Sequence, residues 1–241
     1  MVRSCRGLGR LCFLFVQLFA WAVSADPLAS TNLRDELHRL SAEAHKQTLD
    51  YKVARKAIVG SLHAAQSPDG KYFVRDVYCQ KDMKLSSPTG MASGLNVEHT
   101  WPQSHFFQSP DMFRMKSDLH HLFPTRPSVN TARGNLKFGV VDETSESLSC
   151  TASRLGIGDD GEERFEPPNA HKGNVARALF YFAVRYGGHI DQDEEAVLRV
   201  WHKQDPVDAA EMQRNEEIEK LQGNRNPFID HPEYVELISD F

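Results

Sequence analysis

Apolar positions recur at helical spacing in several stretches of the chain. Leu33, Leu37, Leu40 and Ala44 follow each other at intervals of three and four, with Thr31 or Asn32 placed to cap the helix. Residues 51–62, from Tyr51 to Leu62, predict a second helix. Val175, Leu179, Phe182 and Tyr186 mark one face of a strong helix. Val197, Leu198 and Trp201 mark another, which must stop before Pro206. Asp208 to Leu221 reads as a charged helix ending near Gly223. Lys71 to Cys79 is rich in β-formers and predicts a strand, entered through the turn Ser67-Pro68-Asp69-Gly70. Residues 84–95 read as loop, residues 142–166 as an acidic surface loop, and the tail from Asn224 starts as a turn-rich loop. No internal repeat interrupts this order. The fold class predicted is α+β: a mainly helical single domain around a small sheet.

The first residues follow a different rule. Arg3, Arg6 and Arg10 make a positive segment without an acid, an apolar run spans Leu11 to Val23, and Val23-Ser24-Ala25 ends it with small residues. That order predicts a secretory signal peptide at 1–25 and a mature domain at 26–241. The alternative, a membrane anchor, needs a run of about 20 apolar residues. Within 241 residues, 40% hydrophobic and 25% charged positions are a globular mixture. The net charge of −5 becomes −8 without the leader, with 25 basic against 33 acidic residues. This excludes a polybasic protein, though not a local basic groove. Removing the leader also removes Cys5 and Cys12 and leaves Cys79 and Cys150. Two buried thiols are one reading; an exported chain favours one disulfide. Two cysteines alone do not make a structural zinc site.

Charge is segregated. Arg114, Lys116, Arg126, Arg133 and Lys137 face only Asp118 between residues 114 and 137, and the stretch after them is acidic. His99, His105, His120 and His121 fall in the same region. No H-E-x-x-H is present, since the order is Glu98-His99, and no G-x-S-x-G elbow is present. What remains is a general base, a hard-metal site and a phosphate-binding surface. His99 suits the base, because an imidazole titrates near neutrality. Glu98 and Asn130 offer oxygen ligands of the kind magnesium takes. Arg133 follows Asn130 by three residues, so on a helix the two share a face.

Longer blocks carry a resemblance. Asn96-Val97-Glu98-His99-Thr100-Trp101-Pro102-Gln103-Ser104 resembles the N-R-E-H-S-W-P-x-S block of secreted bacterial nucleases of the endonuclease I family. Asp118-Leu119-His120-His121-Leu122-Phe123-Pro124 and Val129-Asn130 to Arg133-Gly134-Asn135 resemble its D-L-H-H-L-x-P and V-N-x-x-R-x-N blocks. Phe165-Glu166-Pro167-Pro168, Lys172 to Ala178, and Gln222 to Pro232 continue the likeness in order to the end. The resemblance implies a ββα-metal (His-Me finger) catalytic core at about residues 90–140. It implies His99 as general base and Glu98 and Asn130 as ligands of one Mg²⁺, with Mn²⁺ or Ca²⁺ as alternatives. His121 falls where relatives support the base-bearing loop, and Arg133 and Arg177 become phosphate contacts. Arg126, in the basic strip, is a further candidate. Val97 departs from the family's arginine, and Asn174 stands where aspartate is common.

The activity implied is a secreted or periplasmic, monomeric endonuclease. It would cleave DNA, with RNA as a further substrate, at low sequence specificity, and leave 5′-phosphate ends. An unperturbed base predicts little activity below about pH 6. The alternatives are an exported nucleic-acid-binding protein with a dead site, and a phosphodiesterase for small nucleotides. His105, His120, Trp101, Phe123 and His231-Pro232 read as structural.

Overall fold

A computed structural model describes residues 30–88, 94–106, 108–146 and 148–241. The signal peptide predicted at 1–25 lies outside the described residues.

Helix α1 (Ser30–Ala44) leads to α2 (Tyr51–Val59), which Asp50 caps by accepting from the Lys52 amide and which ends at Gly60. Thr31 and Asn32 lie inside α1 rather than before it. Leu33 and Leu37 are buried, whereas Leu40 stays 46% exposed, so the apolar stripe of α1 is narrower than its periodicity suggested. A three-stranded antiparallel sheet follows: β1 (Ala64–Gln66), β2 (Tyr72–Asp76) and β3 (Lys81–Leu85). The strand predicted at 71–79 is thus shorter, because the chain turns at Val77–Gln80 and returns as β3.

Next come β4 (Asn96–His99), α3 (Met112–Ser117), a 3₁₀ turn at Leu119–His121 and β5 (Leu122–Thr125). β4 and β5 pair antiparallel with Glu98 opposite Phe123 and His99 opposite Leu122. Helix α4 (Pro127–Arg133) starts with proline at its first turn, where no amide donor is needed.

The stretch 142–166 is not a loop. It forms a second three-stranded sheet, β6 (Glu143–Glu146), β7 (Arg154–Ile157) and β8 (Glu163–Glu166). Acids on its outer positions hid the alternation, while Leu155 and Phe165 point inward. Gly156 permits the close pairing, since a Cβ there would stand 2.0 Å from the Glu143 carbonyl oxygen. Helix α5 (Asn169–Tyr186) is buried almost all round, and α6 (Gln192–Gln204) packs on it. Asp208 caps α7 (Ala209–Gln222) by accepting from the Glu211 amide. The tail is more ordered than its composition suggested and adds the short helices α8 (Pro227–Asp230) and α9 (Tyr234–Leu237).

The β4–β5 hairpin stands between two apolar clusters. Val97, Leu119 and Leu122 join Ile58 and Ile218 in the smaller one. Phe123 joins Phe165, Phe182 and Trp201 in the larger one. Val97 is buried there, so the residue that departs from the resembled block is a core residue in this chain. Cys79 and Cys150 form the disulfide. Among the described residues, no helix is long and apolar enough to cross a membrane.

Candidate active site

Strand β4 delivers Glu98 and His99 side by side, and α4 packs against it. Asn130 donates from Nδ2 to the Val97 carbonyl at 3.3 Å, which fixes its amide beside the strand. Glu98, His99 and Asn130 line one cleft of 410 Å³ with Tyr51, Gln103 and Asn135. The three residues predicted as base and metal ligands are thus brought together.

His99 is held at both ring nitrogens. Its Nε2–H donates to the Lys116 carbonyl at 3.0 Å, so the proton sits there and Nδ1 carries the lone pair. The Gln103 amide donates to Nδ1 at 3.2 Å. Burial, with the charges of His121, Lys116 and Arg133 around the ring, lowers the imidazole to about 3, against the help of the Lys116 carbonyl. A base expected to be lost below pH 6 is therefore kept neutral well below that pH by its surroundings. His121 is fully buried, with its ring centroid 5.4 Å from that of His99. It donates from Nε2 to the Met115 carbonyl at 2.7 Å, and its own carbonyl accepts from the Thr100 amide at 3.0 Å. Both bonds brace the residues flanking the base.

Glu98 is buried and still ionisable. Oε1 accepts from the Tyr78 phenol at 3.0 Å and from Arg133 at 2.8 Å. Burial pushes the carboxyl up to about 7, while the Arg133 guanidinium and the Tyr78 phenol oppose it. Arg133 is only 2% exposed and also donates to the His99 and Thr100 carbonyls at 3.0 and 2.7 Å. Its guanidinium lies 4.4 Å from the Phe138 ring. In this arrangement it holds the acid and the β4 main chain rather than facing solvent.

The other predicted phosphate contacts are also paired. Arg177 is 1% exposed, grips Glu211 with two bonds and is not among the residues lining the cleft. Arg126 stands 3.3 Å from Asp76. Lys116 has no carboxylate within ion-pair distance among the described residues, and its Nζ lies 4.9 Å from the centroid of the Tyr51 ring at the cleft. Sequence reasoning did not single out Lys116, Tyr51, Gln103 or Tyr78. Lys116 had only its place in the basic strip as a signal.

Behind the site lies Asp118, fully buried. It accepts from the Tyr181 and Tyr186 phenols, the Gln222 amide and the His120 main chain, at 2.8 to 3.0 Å. Burial alone would raise its carboxyl, but His45, His120, His121 and Gln222 hold it below the usual range. His120 meanwhile shares a hydrogen bond of 3.1 Å with the Asn224 carbonyl.

The donor set at the cleft suits a hard divalent ion. Both recorded bonds of the Glu98 carboxylate use Oε1, which leaves Oε2, and the Asn130 bond to Val97 uses Nδ2, which leaves Oδ1. Two oxygens from the protein, with water completing the shell, match the way magnesium is bound. Among the described residues, no group of three or more His, Cys, Asp or Glu is placed to hold a metal.

Residues 30–233 match the Endonuclease I family. The chain belongs to that family. This Endonuclease I protein is 35% identical over 228 residues to the extracellular ribonuclease of Bacillus amyloliquefaciens, covering 87% of this chain and 74% of the relative. It is 34% identical over 235 residues to the extracellular ribonuclease of Bacillus subtilis, covering 89% and 76%. A periplasmic deoxyribonuclease of Aeromonas hydrophila is 34% identical over 124 residues, 51% of each chain.

Proposed function

We propose that this protein is an exported, divalent-metal-dependent endonuclease that hydrolyses the phosphodiester bonds of DNA and RNA. One observation carries the reading. The Lys116 carbonyl holds Nε2–H of His99, and Nδ1 is left as a base in a cleft shared with Glu98 and Asn130. The hairpin β4–β5 and helix α4 then serve as a ββα-metal core within a domain of residues 26–241, after removal of a leader at 1–25. Names of relatives support both substrates and an extracellular or periplasmic place of action.

His99 Nδ1 takes a proton from a water that attacks phosphorus, and the new P–O bond forms as the bond to O3′ breaks. The products are a 5′-phosphate and a 3′-hydroxyl, the latter protonated from solvent. Before substrate enters, the Gln103 amide occupies Nδ1, so it must move aside for the attacking water. Glu98 and Asn130 would hold one Mg²⁺, which supplies positive charge against the phosphate when bound. Lys116 meets an incoming phosphate, and Tyr51 supports that ammonium from below. Arg133 acts indirectly by keeping Glu98 charged and oriented.

The test is cleavage of supercoiled plasmid and of single-stranded RNA by residues 26–241, with Mg²⁺, with EDTA, and by His99→Ala with Mg²⁺. Cleavage confined to the wild-type Mg²⁺ reaction supports the reading. Plasmid that is bound but intact in every reaction overturns it in favour of a binding scaffold.

A further inference from the structure

A second pocket, of 360 Å³, opens beside the catalytic cleft and shares Ser104 with it. Trp101 and Tyr186, both part-exposed, wall it over the buried rings of Phe106 and Phe182, and Ser109 and His105 lie at its polar edge. The indole of Trp101 stacks on Phe182 at 5.0 Å between centroids and 19° between planes. It also crosses Gly188, where a Cβ would stand 2.8 Å from the ring, so only glycine leaves room for it there. An aromatic wall with hydrogen-bonding groups at its rim is what a nucleobase needs: a face to stack on and partners for its edge.

Two part-exposed arginines, Arg34 and Arg114, and the buried Arg185 stand next to residues of this pocket. Arg34 reaches from α1 to the Gly188 carbonyl at 2.7 Å. Arg185 stacks on the Tyr186 ring at 4.5 Å, and its Nε, though buried, has no partner. Arg114 donates to the His45 carbonyl at 3.0 Å. Among the described residues, none of the three has a carboxylate within ion-pair distance, in contrast to Arg126, Arg133 and Arg177. The nearby acid, Asp118, is buried behind the Tyr186 phenol and already taken up by other donors. In a mature chain of net charge −8, Arg34 and Arg114 are part-exposed cations left without acids, which suits them to an anion from outside.

We infer that this pocket receives an unstacked base of a single-stranded nucleic acid, next to the phosphate being cut, and that the part-exposed Arg34 and Arg114 bind the phosphates beyond it. The inference rests on the nuclease reading for the location of the cut. A single strand offers free bases, whereas a duplex must first break a pair to fill the pocket.

The test uses residues 26–241 in EDTA, where nothing is cut. Trp101 and Trp201 are the tryptophans that remain after the leader, and Trp201 is 1% exposed, so quenching of intrinsic fluorescence reports Trp101. A single-stranded oligonucleotide of about ten residues should quench it. The Arg34→Ala/Arg114→Ala variant should bind that strand roughly tenfold more weakly, and its log K against log salt should be shallower by about 1.4 for two lost contacts. Its hydrolysis of the small diester bis(p-nitrophenyl) phosphate, measured with Mg²⁺, should be unchanged. Binding without quenching, equal quenching by a duplex of the same length, or unweakened binding by the variant overturns the inference. If the variant also loses small-diester hydrolysis, Arg34→Lys/Arg114→Lys must restore both activity and strand affinity, and failure to do so overturns it as well. Should the wild type bind and quench as stated yet cleave neither polymer nor small diester, the nuclease reading falls and the pocket stands.

Discussion

Replacing Arg133 by Met separates a structural arginine from a substrate-binding one. The side chains of Arg133 and Glu98 are 2% and 1% exposed and meet at 2.8 Å. Arg133→Met leaves Glu98 with the Tyr78 phenol alone and strips a charged donor from the His99 and Thr100 carbonyls. Breaking a buried pair by removing one partner costs about 3–5 kcal/mol. For a domain of this size each kcal/mol moves Tm by about 2–4 °C, so Tm should fall by roughly 6–20 °C. Glu98→Leu combined with Arg133→Met removes both charges and should recover about 2 kcal/mol of that loss, because no carboxylate is left stranded. Urea unfolding followed by circular dichroism at pH 7 in EDTA measures both variants. If Arg133→Met stays within about 1 kcal/mol of wild type while KM for nucleic acid rises, the guanidinium serves substrate rather than Glu98, and the reasoning fails. Losses that simply add in the double variant would also defeat it, by showing that the pair is not coupled.

Burial holds His120 and His121 at about 4 and His171 at about 3. Unfolding restores them to near 6.5, so this stability is complete above that pH and is lost as pH falls toward the folded values. Glu98 has the opposite sign, since its contribution declines as pH rises from its unfolded value toward about 7. His45, His63, His99, His105 and His202 are lowered as well, and together these histidines outnumber the raised carboxyls of Glu98, Glu194, Asp205 and Glu211, so Tm should drop steadily from pH 6.5 to pH 4; a flat profile refutes the assignment. Cys79→Ser with Cys150→Ser opens a bridge of sequence separation 71 and should cost about 4 kcal/mol, read by the same unfolding assay. Lys116→Ala should raise KM for polymer several-fold, leave kcat within about twofold, and flatten the salt dependence by about 0.9 for duplex substrate; an equal fall in kcat would place Lys116 in the chemical step.

The pieces legible in the sequence were those whose partners lie close along the chain. Glu98 and His99 are adjacent, and Asn130 and Arg133 share the short helix that packs on their strand. Tyr78 is 20 residues from Glu98 and lies in the turn between β2 and β3, so no spacing rule pointed to it. The Lys116 carbonyl is a main-chain atom and leaves no trace in residue type. Arg133 and Arg177 have the chemistry of phosphate binders, but burial against Glu98 and Glu211 decides what they hold, and burial is a property of the fold. The β6–β8 sheet was missed because only Leu155 and Phe165 mark its inner face among charged neighbours. Helix α5 was legible from one apolar face and proved buried on nearly all of them.

The histidine turn before β5 is fastened by groups far down the chain. Gln222 accepts from the Leu119 amide 103 residues away, and His120 meets the Asn224 carbonyl 104 residues away. A growing polypeptide that already contains Glu98, His99 and Asn130 therefore lacks the partners that shape the turn bearing His121. Tyr181 and Tyr186 reach Asp118 with α5, but until the end of α7 arrives Asp118 still lacks the Gln222 donor that helps make its burial tolerable. Competence comes last, with the final stretch of chain, rather than when the chemistry-bearing residues first emerge. Loss of the residues from Gln222 onward would leave a fragment with every reactive group present and the histidine turn unfastened.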